Sequence, residues 1–316
     1  MQICIIGPNS PIPPKGWGAV ESLIWDMKNA LEEMGHKVTI INTGDPLEII
    51  RTINSLRPDF VHINYDDWIP IYPYIQYPCA ITTHFAYLTR PEFMGAYKQR
   101  IFDQFSYIKP NVFGLSEEIN DVYHSVCSIP KSQLFLNPNG VNFEIFKKTN
   151  YPENPDSSIY LAKIDHRKRQ YLFQEIDSLF YAGNIADSRF NKEKNFLGEW
   201  SKQHLYENLT DYGNLVLLSD GEAHPLVCLE AFAAGLGVVI SEWAFANLDT
   251  SKEFITVIPE DQISNIAYVE EKIIENRESS IKNRDQILDY ARTFDWKKIL
   301  TRHYIPNIEK LIYGQE

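Results

Sequence analysis

Cysteine is scarce and scattered in this chain. The four, Cys4, Cys79, Cys127 and Cys228, lie far apart, mostly inside apolar runs, and none belongs to a Cys-x-x-Cys pair. That argues against a disulfide framework or a thiolate metal knuckle and reads as reduced core residues of an intracellular, cytoplasmic protein. No apolar run is long enough to span a bilayer. Positive charge is also short: a net charge of -12 argues against a general nucleic-acid binder, which needs a basic surface. Peripheral membrane contact stays open, because a local patch does not depend on net charge. The start, Met1 to Gly7, has no basic residue and reads as strand rather than signal peptide. Asp66-Asp67 is not an Asp-x-Asp pair and no His/Cys cluster exists, so no metal site is expected. There is no repeat or low-complexity tract, and nothing that fixes an oligomeric state.

What is present is an alternation of short apolar runs with helical periodicity, over a length that holds two domains of ordinary size. Ile3 to Ile6 reads as a strand, followed by a glycine- and proline-rich loop to Gly18 and a helix from Ala19 to Met34. Further strands are predicted at 37–41, 59–63, 79–83, 111–115 and 134–136, with helices at 46–56 and, broken at Pro91, at 86–105. The polar stretch Tyr151 to Ser158 reads as a domain boundary, and most of the negative charge lies beyond it. The pattern then restarts, with strands at 159–161, 179–181, 215–218, 238–240 and 254–258. Helices are predicted at 201–209, 261–276, 279–293 and 296–312. Strand, loop, helix, strand is the signature of a doubly wound α/β fold. We therefore expect two Rossmann-like domains, 1–150 and 151–295, with the helix of 296–316 crossing back to the first.

In such sheets ligands bind at the carboxyl ends of the strands, and those ends carry the chemistry here. The first loop, with Gly16 and Gly18, lacks the dinucleotide fingerprint but offers backbone N–H groups and a helix start to an anion. Asn64-Tyr-Asp66-Asp67-Trp68 follows a strand and suits either a ring-shaped polar ligand such as a sugar or a surface turn. His84 ends another strand. Lys163 to Arg169 is the densest basic cluster, a phosphate clamp or a charged surface loop. Glu222 closes the strand 215–218, and Glu230 sits in the helix after it among Leu, Val, Cys, Ala and Phe, where a carboxylate needs partners. Phosphate donors, acids and aromatics on strand ends together fit a sugar nucleotide, with the positive groups offsetting charge on a departing diphosphate. Hydrolysis of a glycoside by two carboxylates is less apt, because both would have to flank one bond.

Taken in order, these pieces resemble the retaining, nucleotide-sugar-dependent glycosyltransferases of family 4, which have the two-domain GT-B fold. The resemblance covers nearly the whole chain. It rests on Glu222-x7-Glu230 with Glu-Ala-x-Ala-x-Gly after it, Pro14 to Glu21, Thr82-Thr-His84, Leu115-Ser-Glu-Glu118, Asn137-Pro-Asn-Gly-Val-Asn142 and Tyr160 to Arg169. It implies that Gly16 and Gly18 face the donor diphosphate, that Lys163 and Lys168 hold it, and that Glu230 binds the ribose. His84 and Glu222 would then lie at the transferred sugar, with His84, Lys168 and Glu222 serving the chemistry. Asp66, Asp67 and Trp68 are assigned to the acceptor side on composition alone. The implied reaction needs no metal or other cofactor and moves a sugar to a carbohydrate or lipid-linked acceptor with retention.

The chain departs from the family pattern at three places. Lys163 stands where an arginine is usual, which replaces a bidentate fork by a point charge. Trp17 separates Gly16 from Gly18, and His224-Pro225 stands where Phe-Gly is common. Two other readings follow: a sugar-nucleotide epimerase of the same fold, and a carbohydrate- or nucleotide-binding protein without turnover.

Overall fold

The computed structural model describes residues 1–14 and 18–314. The chain divides into two units, one made of Met1–Gly140 with the segment from Trp296 onward, the other of Val141–Asp295. Residues 151–158, expected as the boundary, lie inside the second unit and include the first half of its longest strand.

The first unit is built on six parallel strands: β1 (Gln2–Ile6), β2 (Lys37–Ile41), β3 (Phe60–Ile63), β4 (Cys79–Ile81), β5 (Val112–Gly114) and β6 (Leu134–Leu136). Their order is β2-β1-β3-β4-β5-β6. Strands β1 and β3 are apolar at nearly every position and buried along their length, as strands covered on both faces must be. The helix Ala19–Glu33 turns Leu23, Ile24, Met27, Ala30 and Leu31 inward. Pro46–Leu56 starts where Asp45 accepts the Leu47 N–H at 2.9 Å, with Pro46 in the first turn, where its missing N–H costs nothing. Glu117–Cys127 is capped in the same way by Ser116.

The stretch expected as a helix over 86–105 is more broken than that. A 3-10 turn occupies Pro91–Phe93, and helical turns run from Gly95 to Ile108 with a π turn at Lys98–Phe102. A second π turn, Leu300–Tyr304, joins Trp296–Ile299 to Ile305–Tyr313. It falls just ahead of Pro306, which has no N–H to give to the preceding turn. Tyr304 is buried at this joint against Phe60 and Phe113. Its hydroxyl meets His62 Nδ1 at 3.2 Å, and His62 Nε2 meets Thr82 Oγ1 at 2.9 Å. Because the Thr82 proton is given to the Phe113 carbonyl at 3.1 Å, Thr82 must accept from Nε2–H, which leaves Nδ1 to accept from Tyr304.

The second unit has five parallel strands: β7 (Asn154–Leu161), β8 (Leu179–Ala182), β9 (Tyr212–Leu217), β10 (Gly237–Ser241) and β11 (Ile255–Ile258), in the order β11-β10-β9-β7-β8. Counted from its own first strand, this is the order of the first five strands of the other unit. The order reverses direction between β1 and β3 in one unit and between β7 and β9 in the other, and such switch points open a crevice at the strand ends. The main helices are Lys202–Asn208, Leu226–Ala233, Ile266–Lys282 and Arg284–Ala291. Between β7 and β8 the usual helix is reduced to a 3-10 turn, Gln170–Leu172.

Candidate functional site

The second unit gathers charge at its switch point. The loop after β7 turns at Asp165, whose side chain accepts the Lys168 N–H at 3.0 Å, and Arg169 follows in the left-handed region. The loop after β9 lies beside it: the Asp220 N–H donates to the Arg167 carbonyl at 2.9 Å. Across this contact the Arg167 guanidinium donates to the Gly221 carbonyl at 2.6 Å and to Glu222 Oε1 at 3.0 Å. The Lys168 ammonium donates to the same carboxylate oxygen. One carboxylate thus holds two cations at the carboxyl edge of the sheet. Burial pushes the Glu222 carboxyl up, but Lys168 and Arg167 outweigh it and hold it below its usual range.

Glu230 is separate. It projects from the helix Leu226–Ala233, in which Cys228, Leu229, Ala231, Phe232 and Ala233 are buried, and it pairs with Lys202 at 2.7 Å. The other basic residues divide as well. Arg169 makes a two-pronged pair with Glu260 at 2.7 and 3.0 Å, and Lys163 is exposed. Of the two lysines expected to hold a diphosphate, the structure brings Lys168 to Glu222 and leaves Lys163 apart from that pair. The group that sequence reasoning did not single out is Arg167, one basic residue among several until the fold places it on Glu222. Lys202, on another element, left no signal.

Gly183 shapes the neighbouring turn after β8. Its φ is +152°, and a side chain there would overlap the Ala162 carbonyl oxygen. Glycine is required.

The strand ends of the first unit carry the remaining expected residues. His84, after β4, lies with its Nε2 2.6 Å from Asn64 Oδ1, after β3. Burial lowers the His84 imidazole to about 4, so it is neutral near pH 7. With Nε2–H given to Asn64, Nδ1 is the acceptor nitrogen. A small recess beside this pair is lined by Thr82, Asn137, Asn139 and Trp296. Gly140 lets the Trp296 ring lie on the backbone: a Cβ there would sit 2.6 Å from the indole.

The residues assigned to an acceptor are engaged inside the unit. Asp66 is buried and accepts from the Tyr97 hydroxyl, Asp67 pairs with Arg100 at 3.0 Å, and the Trp68 indole donates to the Gly7 carbonyl at 3.0 Å. That last bond crosses the switch point between β1 and β3. Gly16 lies outside the described residues. Gly18 caps the helix Ala19–Glu33, and a Cβ on it would meet the Glu21 carboxylate at 2.8 Å, so the acid of the helix's own first turn stands over it. Among the described residues no group of three His, Cys, Asp or Glu side chains is placed to hold a metal ion, and no helix is long and apolar enough to cross a membrane.

The sequence matches no protein-family model and no curated protein. Solved structures do resemble it. The sucrose-phosphate synthase of Thermosynechococcus elongatus superposes with a TM-score of 0.70 at 15% identity, covering 99% of each chain. Anabaena HepE, solved in complex with UDP-glucose, gives 0.70 at 14% identity over 100% of both chains. The lipopolysaccharide outer core galactosyltransferase WaaB, in its apo form, gives 0.67 at 14% identity over 99% of both. At these identities the likeness speaks to architecture alone, and the chain has the two-unit, parallel-sheet α/β fold of the GT-B glycosyltransferases.

Proposed function

We propose that this protein is a retaining, metal-independent glycosyltransferase of the family 4 type, which moves a sugar from a nucleoside diphosphate to a carbohydrate or lipid-linked acceptor. The observation that carries the reading is the pairing of Arg167 and Lys168 on Glu222 at the switch point of the second unit, with Glu230 on the helix that follows. A nucleoside diphosphate sugar needs cations for its diphosphate and a carboxylate for its ribose hydroxyls, and these elements supply both. A neighbour solved with UDP-glucose supports the same donor class.

In this reading Lys168 and Arg167 hold the diphosphate and offset its growing charge as the bond from the anomeric carbon to the phosphate oxygen breaks. The acceptor hydroxyl attacks from the face the diphosphate leaves and gives its proton to the departing phosphate oxygen. No protein nucleophile takes part, and the anomeric configuration is kept. Glu222 fixes the two cations and lies at the sugar, Glu230 binds the ribose, and neutral His84 accepts a hydrogen bond from the transferred sugar through Nδ1.

The test is incubation with a panel of nucleotide sugars and saccharide or lipid-linked acceptors, with and without EDTA. Free nucleotide with a glycosylated product of unchanged anomeric configuration, insensitive to EDTA, is expected. An inverted product would remove the retaining assignment, and loss of activity with EDTA the metal-free one. Epimerised donor without transfer would mark an epimerase. Donor binding with neither product would mark a binding protein.

A further inference from the structure

Two buried tyrosines lie stacked in the sheet of the second unit, Tyr160 on β7 and Tyr181 on β8, with ring centroids 6.2 Å apart. Both are inaccessible to solvent. Their hydroxyls meet different fates. The Tyr181 hydroxyl is buried and, among the described residues, finds no hydrogen-bond partner. The Tyr160 hydroxyl donates to the Lys168 carbonyl and accepts the Leu218 N–H at 2.9 Å. Leu218 follows the last residue of β9, and Lys168 closes the turn after β7. A single hydroxyl therefore joins the two loops that carry the cations and the carboxylate, from beneath.

We infer that Tyr160 is a positioning residue whose hydroxyl sets the spacing between Lys168 and Glu222, and so tunes this edge for a diphosphate-bearing ligand. The inference rests on the donor reading above. The Lys168 carbonyl and the Leu218 N–H both need a buried partner, and one hydroxyl serves both with a fixed geometry. Without it, each group must turn toward another partner, and the loops carrying Lys168 and Glu222 move with them. The Asp220 N–H to Arg167 carbonyl bond remains as a second tie, so the unit stays folded while the spacing at the site relaxes.

The experiment compares Tyr160→Phe with Tyr181→Phe in the full chain. Each removes one hydroxyl from the same buried layer, but only the first is wired to the site. Calorimetric titration with inorganic pyrophosphate and with UDP reports on the edge. NMR titration of the labelled Glu222 carboxyl reports on its pairing whether or not a ligand binds. Tyr160→Phe is expected to weaken pyrophosphate by about tenfold and to let the Glu222 carboxyl titrate closer to its ordinary range. Tyr181→Phe should change neither. p-Aminophenylalanine at position 160, which still donates to the Lys168 carbonyl, should recover most of the affinity; if Tyr160→Phe does not fold, p-fluorophenylalanine at position 160, which fills the hydroxyl's space without donating, replaces it with the same expected loss. Equal behaviour of the two phenylalanine variants, or an unmoved Glu222 titration in Tyr160→Phe, overturns the inference. If the wild-type protein binds neither pyrophosphate nor UDP, the donor reading fails instead, and the Glu222 titration still decides whether Tyr160 sets the pair.

Discussion

Asn64 Oδ1 and His84 Nε2 stand 2.6 Å apart at the ends of neighbouring strands, and this contact fixes which imidazole nitrogen carries the proton. Because burial holds His84 at about 4, its ¹⁵N signals should report the neutral Nε2–H tautomer down to about pH 5. Asn64→Asp places a carboxylate at the same distance and favours the imidazolium. Its His84 midpoint should rise by at least about one unit, measured by the same NMR titration. An unchanged midpoint would show that the contact does not control the ring.

The first unit should lose stability as the solution is acidified. His62 is lowered by burial to about 3 and His84 to about 4, so between those values and about 6.5 the unfolded chain binds protons that the folded unit does not. Stability from these two histidines is complete above about pH 6.5 and falls with pH. Asp66 acts in the opposite sense. Burial raises it to about 6, so near pH 5 the folded unit holds a proton that the unfolded chain has released. Taken alone, these two histidines against one aspartate contribute a slope of about 1.4 kcal/mol per pH unit near pH 5, and His36 and His303, also lowered mainly by burial, act in the same direction. Asp66→Asn removes the opposing group and should steepen the slope by about 1 kcal/mol per pH unit, as read from denaturant unfolding at pH 6, 5.5 and 5.

Glu222 and Glu230 should fail in different ways. Glu222→Ala leaves Lys168 and Arg167 without the oxygen they share, and a half-buried charge pair broken on one side costs about 3 kcal/mol or more. Turnover should fall by at least about a hundredfold. Glu230→Ala should raise the donor Kd by about tenfold while leaving kcat within a few-fold. Steady-state kinetics with direct donor titration separates the two. Unchanged donor affinity in Glu230→Ala would remove its ribose assignment.

Two glycines with positive φ give a control on local geometry. At Gly183 a methyl group meets the Ala162 carbonyl as well as an unfavourable backbone angle, and Gly183→Ala should cost about 3 kcal/mol or more. At Gly35, φ +86°, no atom of the described residues beyond its chain neighbours lies within 4 Å of the added carbon, and Gly35→Ala should cost only about 1–2 kcal/mol. Equal losses in thermal or denaturant unfolding would show that backbone conformation alone decides both.

The strands were easy to read for a physical reason. Parallel strands buried on both faces appear as uninterrupted apolar runs, and Val238-Val239-Ile240 has no other reading. Long-range partners leave no such mark. Asp66 looked like a ligand-facing acid beside Asp67 and Trp68, yet it is turned inward by Tyr97, 31 residues away. Lys163, Arg167, Lys168 and Arg169 look alike in a basic cluster, and only the fold sends two to Glu222, one to Glu260 and one to solvent. Tyr160 sits in an apolar run, so nothing in its surroundings advertises a hydroxyl that serves two loops. Tyr151 to Ser158 reads as a boundary because it is polar and proline-rich, yet its latter half is strand and the two units divide after Gly140.

The wide turn at Leu300–Tyr304 has a consequence for helix phase. Trp296, Leu300, Tyr304 and Ile308 are all buried and recur at steps of four. A regular helix, at 3.6 residues per turn, would carry Ile308 about a third of a turn away from Trp296. The π turn slows the rotation and returns the four to one side. Its extra residue therefore acts as a spacer that keeps a single stripe facing inward along the whole segment, and deleting it would rotate Tyr304 and Asn307 away from His62 and the Leu136 carbonyl.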